Sequence, residues 1–139
     1  MEEIKLVEVG PRDGFQNVCD FIPTEIKLNI IDKIAQAGVR NIMITSFVSP
    51  RAIPQMRDAR EVAGICLERY PRLHLSALVP NLRGAQDALA AGIRELAIVI
   101  SVSEAHNRAN VNRTPAESFV ELSHIVDNCP EAQITLDLA

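Results

Sequence analysis

Segments with strand character alternate with segments of helical period along the chain, and this alternation limits the possible folds more than any other feature. The strand candidates are Ile4–Val9, Ile42–Val48, Leu73–Val79, Leu96–Val102 and Gln133–Leu138. Strands that alternate with helices pair in parallel, because each helix returns the chain to the starting edge of the sheet. The sequence therefore predicts an α/β fold with a parallel sheet.

Apolar periodicity and end signals predict three helices in the first two thirds of the chain. The first has an apolar face formed by Ile26, Ile30, Ile31, Ile34 and Ala37. Gly38 stands where a helix-ending glycine belongs. The next two helices are expected over Arg57–Arg69 and from Asn81 to Gly92. In the second of the three, a solvated surface is expected from Arg57, Asp58, Arg60 and Glu61.

A fourth helix has the strongest start signal, and it follows an expected loop after the fourth strand. Thr114-Pro115-Ala116-Glu117 combines a capping box with proline at the first helical position. This helix is expected to present Phe119, Leu122 and Val126 on one side and to end near Cys129.

Four βα units and a fifth strand make up a little over half of a (β/α)8 barrel, a fold that typically needs about 250 residues. The 139 residues are predicted to form an incomplete barrel of TIM type as one domain, residues 1–139, with a doubly wound sheet as the alternative. The last strand is apolar and would leave an open edge. We expect that edge to be covered by a second copy in a homo-oligomer or by a missing C-terminal half.

Charge and hydropathy argue against several classes of partner. The net charge is −4 with acidic and basic residues interspersed, which argues against nucleic acid. No apolar run reaches the roughly 18 residues that cross a membrane. The start, Met1-Glu2-Glu3-Ile4, lacks the positive charge of a secretory signal. Cys19, Cys66 and Cys129 are odd in number and widely spaced, so we expect reduced thiols in a cytoplasmic protein.

Adjacent arginine and aspartate residues follow the first strand. Gly10 and Pro11 break the strand, and Arg12 and Asp13 come next, at the end of the strand where active sites gather in barrels. Arginine offers a planar fork of donors to a carboxylate or an enolate oxygen. Aspartate offers a hard oxygen ligand for Mg²⁺ or Mn²⁺, or a base. An isolated Arg-Asp pair is more often a surface ion pair, so the residue types alone leave both interpretations open.

Four motifs, in order along the chain, resemble those of 3-hydroxy-3-methylglutaryl-CoA lyases. They are Val7–Asn17 (VEVGPRDGFQN), Thr45–Pro50 with Pro54–Met56, Val79–Gly84, and Ser103–Asn107 with Asn110–Asn112. The chain is thus similar to the amino-terminal portion of that family, whose members are metal-dependent TIM barrels.

The resemblance implies roles for individual residues. Arg12 matches the arginine that contacts the substrate carbonyl and stabilises enolate charge, and Gln16 is expected to support it in catalysis. Asp13 matches a metal ligand that also assists proton transfer. The positions that match the lining of the acyl-CoA pocket are Ser46, Ser103 and Asn110.

The implied reaction is a retro-Claisen cleavage of 3-hydroxy-3-methylglutaryl-CoA to acetyl-CoA and acetoacetate, as in leucine degradation. The implied cofactor is a divalent cation, Mg²⁺ or Mn²⁺, which would lower the pKa of the substrate 3-hydroxyl group. Lyases for citramalyl-CoA or isohexenylglutaryl-CoA, and condensing synthases, share much of the first motif and stay open as alternatives.

Two departures from the family pattern predict that this chain alone is inactive. The family's other metal ligands, an H-x-H pair and an asparagine, and its catalytic cysteine come from later strands; His74, His106 and His124 do not replace them. In addition, Met43 stands where the family usually has a glutamate that can pair with the arginine, and methionine is not expected to accept a charged hydrogen bond. A non-catalytic half-barrel that self-associates is therefore an alternative from another functional class.

Overall fold

The computed structural model describes residues 4–139, which form a five-stranded parallel sheet with helices packed against it. The strands are β1 (Val7–Glu8), β2 (Asn41–Ser46), β3 (His74–Leu78), β4 (Glu95–Ile100) and β5 (Gln133–Leu138). Their order in the sheet is their order in the chain. This is the arrangement of a TIM barrel through its fifth strand, which confirms the predicted fold class. Met1, Glu2 and Glu3, on which the expectation of no secretory signal partly rests, lie outside the described residues.

The helices are α1 (Thr24–Gln36), α2 (Ala59–Arg69), α3 (Leu82–Ala90), α4 (Glu104–Val111) and α5 (Pro115–Asn128). Their ends follow the expected local chemistry. Asn81 Oδ1 accepts a hydrogen bond from Gly84 N at 2.8 Å and caps α3. Thr114 and Glu117 form the complete capping box at the start of α5. Gly38 follows α1 with a φ of 91°, a conformation that favours glycine.

Alternate side chains of each strand lie on opposite faces of the sheet. One face joins the helices in a single apolar core, whose strand residues include Ile42, Ile44, Leu75, Ala77, Leu96, Ile98 and Ile100. Met43 lies between two of these residues and therefore points to the other face, which corresponds to the barrel interior. The pairing of β2 with β3 shifts by one residue between Met43 and Thr45. Such a bulge bends the strand and redirects the side chains near its carboxyl end.

Two strand and loop boundaries differ from the sequence prediction. β1 is limited to Val7–Glu8, because only these two residues pair with β2 before the chain turns at Gly10. The expected loop after β4 contains α4, which begins at a cap where Ser103 Oγ accepts from His106 N at 3.4 Å. It ends at Asn112, whose φ of 55° is left-handed. A serine in the N-cap position, here Ser103 with Glu104 in the first turn, is a helix start signal that the sequence prediction did not use.

The predicted faces of α1 and α5 are confirmed only in part: Ile31 is in the core, and Ile34 of α1 and Leu122 of α5 pack against it. In α1, Leu28 and Ile31 are buried, whereas Ile26 and Ile30 are 49% and 37% exposed. In α5, Ser118 and Ile125 are buried, whereas Phe119 and Val126 are 46% and 51% exposed. One residue turns a helix by about 100°. Each of these helices packs on one neighbouring helix, α1 on α2 and α5 on α3, so its second apolar stripe faces away from the described residues.

Within residues 4–139, no helix combines the length and the apolar character that a membrane crossing requires.

Candidate functional site

Arg12 and Asp13 lie in a tight helical turn, Gly10–Gly14, directly after β1. The carbonyl oxygen of Val9 accepts hydrogen bonds from both backbone amides, at 3.0 Å from Arg12 N and 2.8 Å from Asp13 N. Glu8 Oε1 accepts from Gly10 N at 2.7 Å and fixes the start of the turn. The predicted location of the pair, at the carboxyl end of the first strand, is confirmed.

The Arg12 side chain reaches across to the second strand. Its Nε donates to Met43 Sδ at 3.4 Å, and its Nη1 lies 3.1 Å from Asp13 Oδ1. The Arg12 side chain is 17% exposed and that of Asp13 is 56% exposed, so the arginine is sheltered while the carboxylate faces solvent. The thioether sulfur of Met43 therefore does accept a hydrogen bond from the charged Arg12 side chain, contrary to expectation. This hydrogen bond is weak, because a thioether is a weak acceptor. The Arg12 guanidinium thus contacts residue 43, where the family usually has a glutamate, but it meets a neutral thioether there and not a carboxylate.

Two of the predicted site residues have buried polar atoms without a hydrogen-bond partner in residues 4–139, namely Gln16 Oε1 and Ser46 Oγ. Ser46 is the last residue of β2 and is fully buried. Buried polar atoms are nearly always paired, and unpaired ones tend to lie where a ligand or another segment completes the site. In the described chain the Arg12 side chain bonds to Met43 and Asp13, so direct support from Gln16 is not observed.

Ser103 and Asn110 lie further along the rim, at α4. Ser103 Oγ is engaged in capping α4, and Asn110 Nδ2 donates to Ser101 Oγ at 3.5 Å. Within the described residues neither side chain is hydrogen-bonded to Arg12, Gln16 or Ser46. The predicted site residues thus follow or end β1, β2 and β4, and within the described residues only Arg12 and Asp13 among them are hydrogen-bonded to each other.

Sequence reasoning missed Asn107, which orders the rim after β4. This side chain is 1% exposed, and its Oδ1 accepts from Ser101 N at 3.0 Å. Its Nδ2 donates to Ser118 Oγ at 2.8 Å and to Arg113 O at 2.9 Å. The amide therefore ties the end of β4 to the start of α5. Its place inside the fourth motif was the available signal.

A divalent cation needs several oxygen or nitrogen ligands, and Asp13 is the one ligand that the sequence predicts in this chain. Asp13 is the sole predicted ligand, and its carboxylate is engaged with Arg12. Across residues 4–139 there is no group of three His, Cys, Asp or Glu side chains arranged to hold a metal ion. The residues present do not by themselves fit a bound Mg²⁺ or Mn²⁺.

A buried ion pair joins α1 to the start of α2, and it was not foreseen. Lys27 Nζ lies 2.6 Å from Asp58 Oδ1 and donates to Gln55 O at 2.5 Å, while Thr24 Oγ1 donates to Asp58 Oδ2 at 2.8 Å. The side chains of Lys27 and Asp58 are only 3% and 6% exposed. The expectation that Asp58 belongs to a solvated surface is wrong. The available signal was Lys27 itself, which stands beside Leu28 and four residues before Ile31 on the inward face and needs a buried partner.

The same region fixes the segment that follows the Arg-Asp turn. Gln55 Nε2 donates to Val18 O at 2.8 Å and to Cys19 O at 3.3 Å. The guanidinium carbon of Arg57 lies 3.6 Å from the centre of the Phe21 ring, and Lys27 Nζ lies 4.6 Å from it. We call these contacts of Gln55, Arg57 and Lys27 the loop clamp. It holds the chain between the turn and α1 against the segment before α2.

The cysteines lie away from this chemistry. Burial raises the pKa of the Cys66 thiol to about 12, with Arg69 opposing and Asp32 reinforcing the shift. Burial also raises the pKa of Cys129, and Glu131 adds to it. Cys19 is exposed and free. Cys66 and Cys129 are therefore neutral packing residues at ordinary pH.

Comparison with known proteins gives a consistent match along the whole chain. The sequence matches the model of the HMGL-like family over residues 3–138. It is 41% identical over 133 residues to the cytoplasmic 3-hydroxy-3-methylglutaryl-CoA lyase of Rattus norvegicus, an alignment that covers 96% of this chain and 38% of that protein. It is 38% identical over 148 residues to the (R)-citramalyl-CoA lyase of Chloroflexus aurantiacus, covering 100% of this chain and 47% of that protein.

A solved structure agrees with these relatives. An HMG-CoA lyase from Acinetobacter baumannii, in complex with coenzyme A and 3-methylmalate, is similar with a TM-score of 0.88 and 38% identity. The match covers 95% of this chain and 43% of that one. The chain therefore spans less than half the length of each of these three relatives.

Proposed function

The chain belongs to the HMGL-like family, and on that premise we propose that it forms the amino-terminal part of the active site of a carbon–carbon lyase. The proposed substrate is 3-hydroxy-3-methylglutaryl-CoA, and the proposed products are acetyl-CoA and acetoacetate, a reaction that would serve leucine degradation. The observation that supports this most is the sheltered Arg12 guanidinium at the carboxyl end of β1, with the exposed Asp13 carboxylate beside it. The acyl-CoA partner is supported by the relative that binds coenzyme A.

Arg12 is proposed to bind the thioester carbonyl oxygen. A base removes the proton of the 3-hydroxyl group, C3 becomes the ketone carbon of acetoacetate, and the electron pair of the broken C2–C3 bond forms the acetyl-CoA enolate. Negative charge therefore develops on the thioester oxygen until a proton returns to C2. Guanidinium N–H groups aimed at this oxygen stabilise the charge most where water is excluded. The low exposure of the Arg12 side chain meets that condition. Ser46 Oγ and Gln16 Oε1, both buried without partners in residues 4–139, are proposed to contact substrate or a segment that completes the site.

Asp13 is proposed to be one ligand of a divalent cation, Mg²⁺ or Mn²⁺, whose other donors would come from outside this chain. Its exposed carboxylate is free to turn from Arg12 toward an incoming ion, because exposed ion pairs are weak. Ser103 and Asn110 are proposed to contact the acyl-CoA further along the rim, which would require Ser103 to share its hydroxyl between the α4 cap and the ligand.

A second candidate substrate is citramalyl-CoA. The (R)-citramalyl-CoA lyase of Chloroflexus aurantiacus is 38% identical to this chain in an alignment that covers all of this chain and 47% of that lyase. Citramalyl-CoA carries the same 3-hydroxyl-bearing branched carbon and would release pyruvate in place of acetoacetate.

We further propose a cytoplasmic location, supported by the rat relative whose name gives that compartment, and assembly with a second copy or with a separate carboxyl-terminal half. The exposed apolar stripes of α1 and α5 support the latter.

The test is a chimera in which this chain replaces the matching portion of the rat lyase. With Mg²⁺ or Mn²⁺ we expect acetoacetate from 3-hydroxy-3-methylglutaryl-CoA, and loss of at least about 100-fold in kcat for the Arg12→Gln variant. The matched control is Arg72→Gln, an exposed arginine remote from the turn. Pyruvate from citramalyl-CoA and no acetoacetate would favour the second substrate. A folded chimera inactive on both substrates, also with Met43→Glu, would refute the proposal.

A further inference from the structure

A cleft of about 760 Å³ opens between the segment after β2 and the start of α3. Its lining includes four arginines and a single carboxylate: Arg51, Arg57, Arg60, Arg83 and Asp87. The apolar floor comes from Phe47 and Met56. The cleft follows the carboxyl ends of β2 and β3, which is the end of the sheet where Arg12 lies. Its lining comes from the segments after these strands and from α2 and α3, so the cleft lies toward the helices and not in the barrel interior.

Close backbone contact shapes one wall of this arginine cleft. Gly84, in the first turn of α3, lies so near the β2 segment that an added Cβ would come within 2.5 Å of Phe47 O. Only glycine permits this approach, which brings the start of α3, with Arg83, against the segment after β2 that carries Arg51.

The positive charge of the cleft is not neutralised by the surrounding carboxylates. Asp58, the nearest acidic residue in sequence to Arg57, is buried in its pair with Lys27. Asp87 lies 3.9 Å from Arg60, but both side chains are more than half exposed, so this pair is weak. Because Asp58 gives its oxygens to Lys27 and Thr24, it does not pair with the arginines of the cleft.

One of the arginines is fixed in position. The Arg57 guanidinium stacks on the Phe21 ring at 3.6 Å as part of the loop clamp. A guanidinium held against an aromatic ring has fewer conformations available, so its side chain loses less conformational entropy when it binds an anion.

From this lining we infer that the arginine cleft binds phosphate groups. Guanidinium groups bind phosphate oxygens in pairs of parallel hydrogen bonds, and several arginines around one cleft suit a diphosphate better than a single carboxylate. The volume lies in the range of small-ligand sites. The source of the phosphates is the nucleotide end of coenzyme A; this assignment of the source rests on the proposed function, whereas the phosphate site does not.

The site is tested by calorimetric titration of the 139-residue chain with inorganic pyrophosphate at constant ionic strength. We expect binding, weakened at least about tenfold in the combined variant Arg51→Gln, Arg60→Gln, Arg83→Gln. A matched control removes three exposed arginines elsewhere, Arg69→Gln, Arg72→Gln and Arg94→Gln, and should bind as the wild type does. Thermal melts establish that both variants fold. Absence of binding by the wild type, or equal weakening in both variants, overturns the site.

The source is tested by competition against bound pyrophosphate. Coenzyme A should displace it and pantetheine, which has no phosphate, should not. Failure of coenzyme A to compete would leave a phosphate site for another ligand and overturn the coenzyme A assignment. An inactive chimera with intact pyrophosphate binding would reject the lyase proposal alone, so the two failures are distinguishable.

Discussion

Arg12 has a weak partner where its family relatives are expected to have a strong one. Its Nε meets the thioether of Met43, and its other near partner is the solvent-facing carboxylate of Asp13. A carboxylate at position 43 would instead be buried in the sheet beside the guanidinium. The hydrogen bond would then be charge-assisted, which roughly doubles its strength.

The substitution Met43→Glu should therefore be stabilised by Arg12. We expect a coupling free energy of about 1–3 kcal/mol between Met43→Glu and Arg12→Gln in a double-mutant cycle measured by urea unfolding. The control cycle uses Met43→Leu, whose coupling should be near zero. If Met43→Glu destabilised the protein equally with and without Arg12, the contact across β1 and β2 would not exist in solution.

The three cysteines should differ in reactivity. The pKa of Cys66 is raised to about 12 and that of Cys129 is also raised, so at pH 8 both are protonated, and only the thiolate attacks an alkylating reagent. We expect iodoacetamide to modify the exposed Cys19 at least about 100-fold faster than Cys66. Mass spectrometry of labelled peptides measures this, and the urea-unfolded chain, where all three react, is the control. Equal labelling of Cys19 and Cys66 in the folded chain would contradict the burial of Cys66.

At the scale of elements, the capping box of α5 is a local device whose contribution can be isolated. Removing its hydroxyl by Thr114→Ala should lower the free energy of unfolding by about 1 kcal/mol, because the amide of Glu117 loses its acceptor. Urea unfolding measures the loss. Ser123→Ala, which removes an exposed hydroxyl inside the same helix, should change little. A similar effect of both substitutions would argue against the cap.

The capping box of Thr114 and Glu117 also predicts that the stability of the protein depends on pH. Hydrogen bonds from the backbone and side chain of Thr114 lower the pKa of Glu117. A lowered carboxyl pKa contributes stability that is present above the ordinary pKa of glutamate and is lost as the pH falls through the lowered value. The stability difference between wild type and Glu117→Gln should therefore narrow in acid, because the glutamine side chain carries no titrating carboxylate. A difference that stayed constant through that range would contradict the assignment.

The Lys27–Asp58 pair joins two elements through buried charge. Lys27→Met should cost about 3–5 kcal/mol, because Asp58 would be left charged and unpaired in the interior. Adding Asp58→Leu should recover most of that loss, since a buried pair replaced by apolar groups is often neutral. Lys33→Met, on the exposed side of α1, is the control. Chemical unfolding of the four proteins measures these differences; a cost equal to that of Lys33→Met would show that Asp58 reaches solvent.

Sequence reasoning predicted the order and type of most elements because their signals are local. The Thr114 box and Gly38 fix helix ends through contacts within a few residues. The faces of α1 and α5 were predicted only in part, because both helices have apolar residues on more than one side and periodicity alone cannot tell which of them meet the sheet. At the site, the position of Arg12 follows from the strand end, whereas the Lys27 and Asn107 contacts join distant segments that no local pattern specifies.

For the whole molecule, the exposed apolar stripes on α1 and α5 predict self-association of the 139-residue chain. Exposed apolar stripes of this kind mark surfaces that become buried against another surface. Sedimentation at low micromolar concentration should detect species larger than a monomer, and Phe119→Lys with Val126→Lys should shift the distribution toward the monomer. Val120→Lys, which is exposed but about 100° away from Phe119, is the control. A monodisperse wild-type monomer with a sharp thermal transition would refute this.

The isolated chain should also be catalytically silent. With Mg²⁺ or Mn²⁺ and 3-hydroxy-3-methylglutaryl-CoA we expect no acetoacetate above background, because Asp13 is the only predicted metal ligand in residues 4–139. A coupled assay for acetoacetate at high protein concentration measures this. A reproducible metal-dependent rate would mean that a second copy supplies the other donors.

Within residues 4–139 each strand pairs only with its neighbours in the chain, so none of these pairings has to wait for a distant segment to arrive. During synthesis on the ribosome, β2 can join β1 as soon as α1 has emerged, and each later unit can dock on a template that already exists. Growth of this kind resembles repeat proteins, in which each unit is stabilised by its neighbour. Deleting the last unit, from Pro115 onward, should therefore leave the pairing of β1 to β4 in place, whereas removing β2 should prevent all later strands from reaching Arg12.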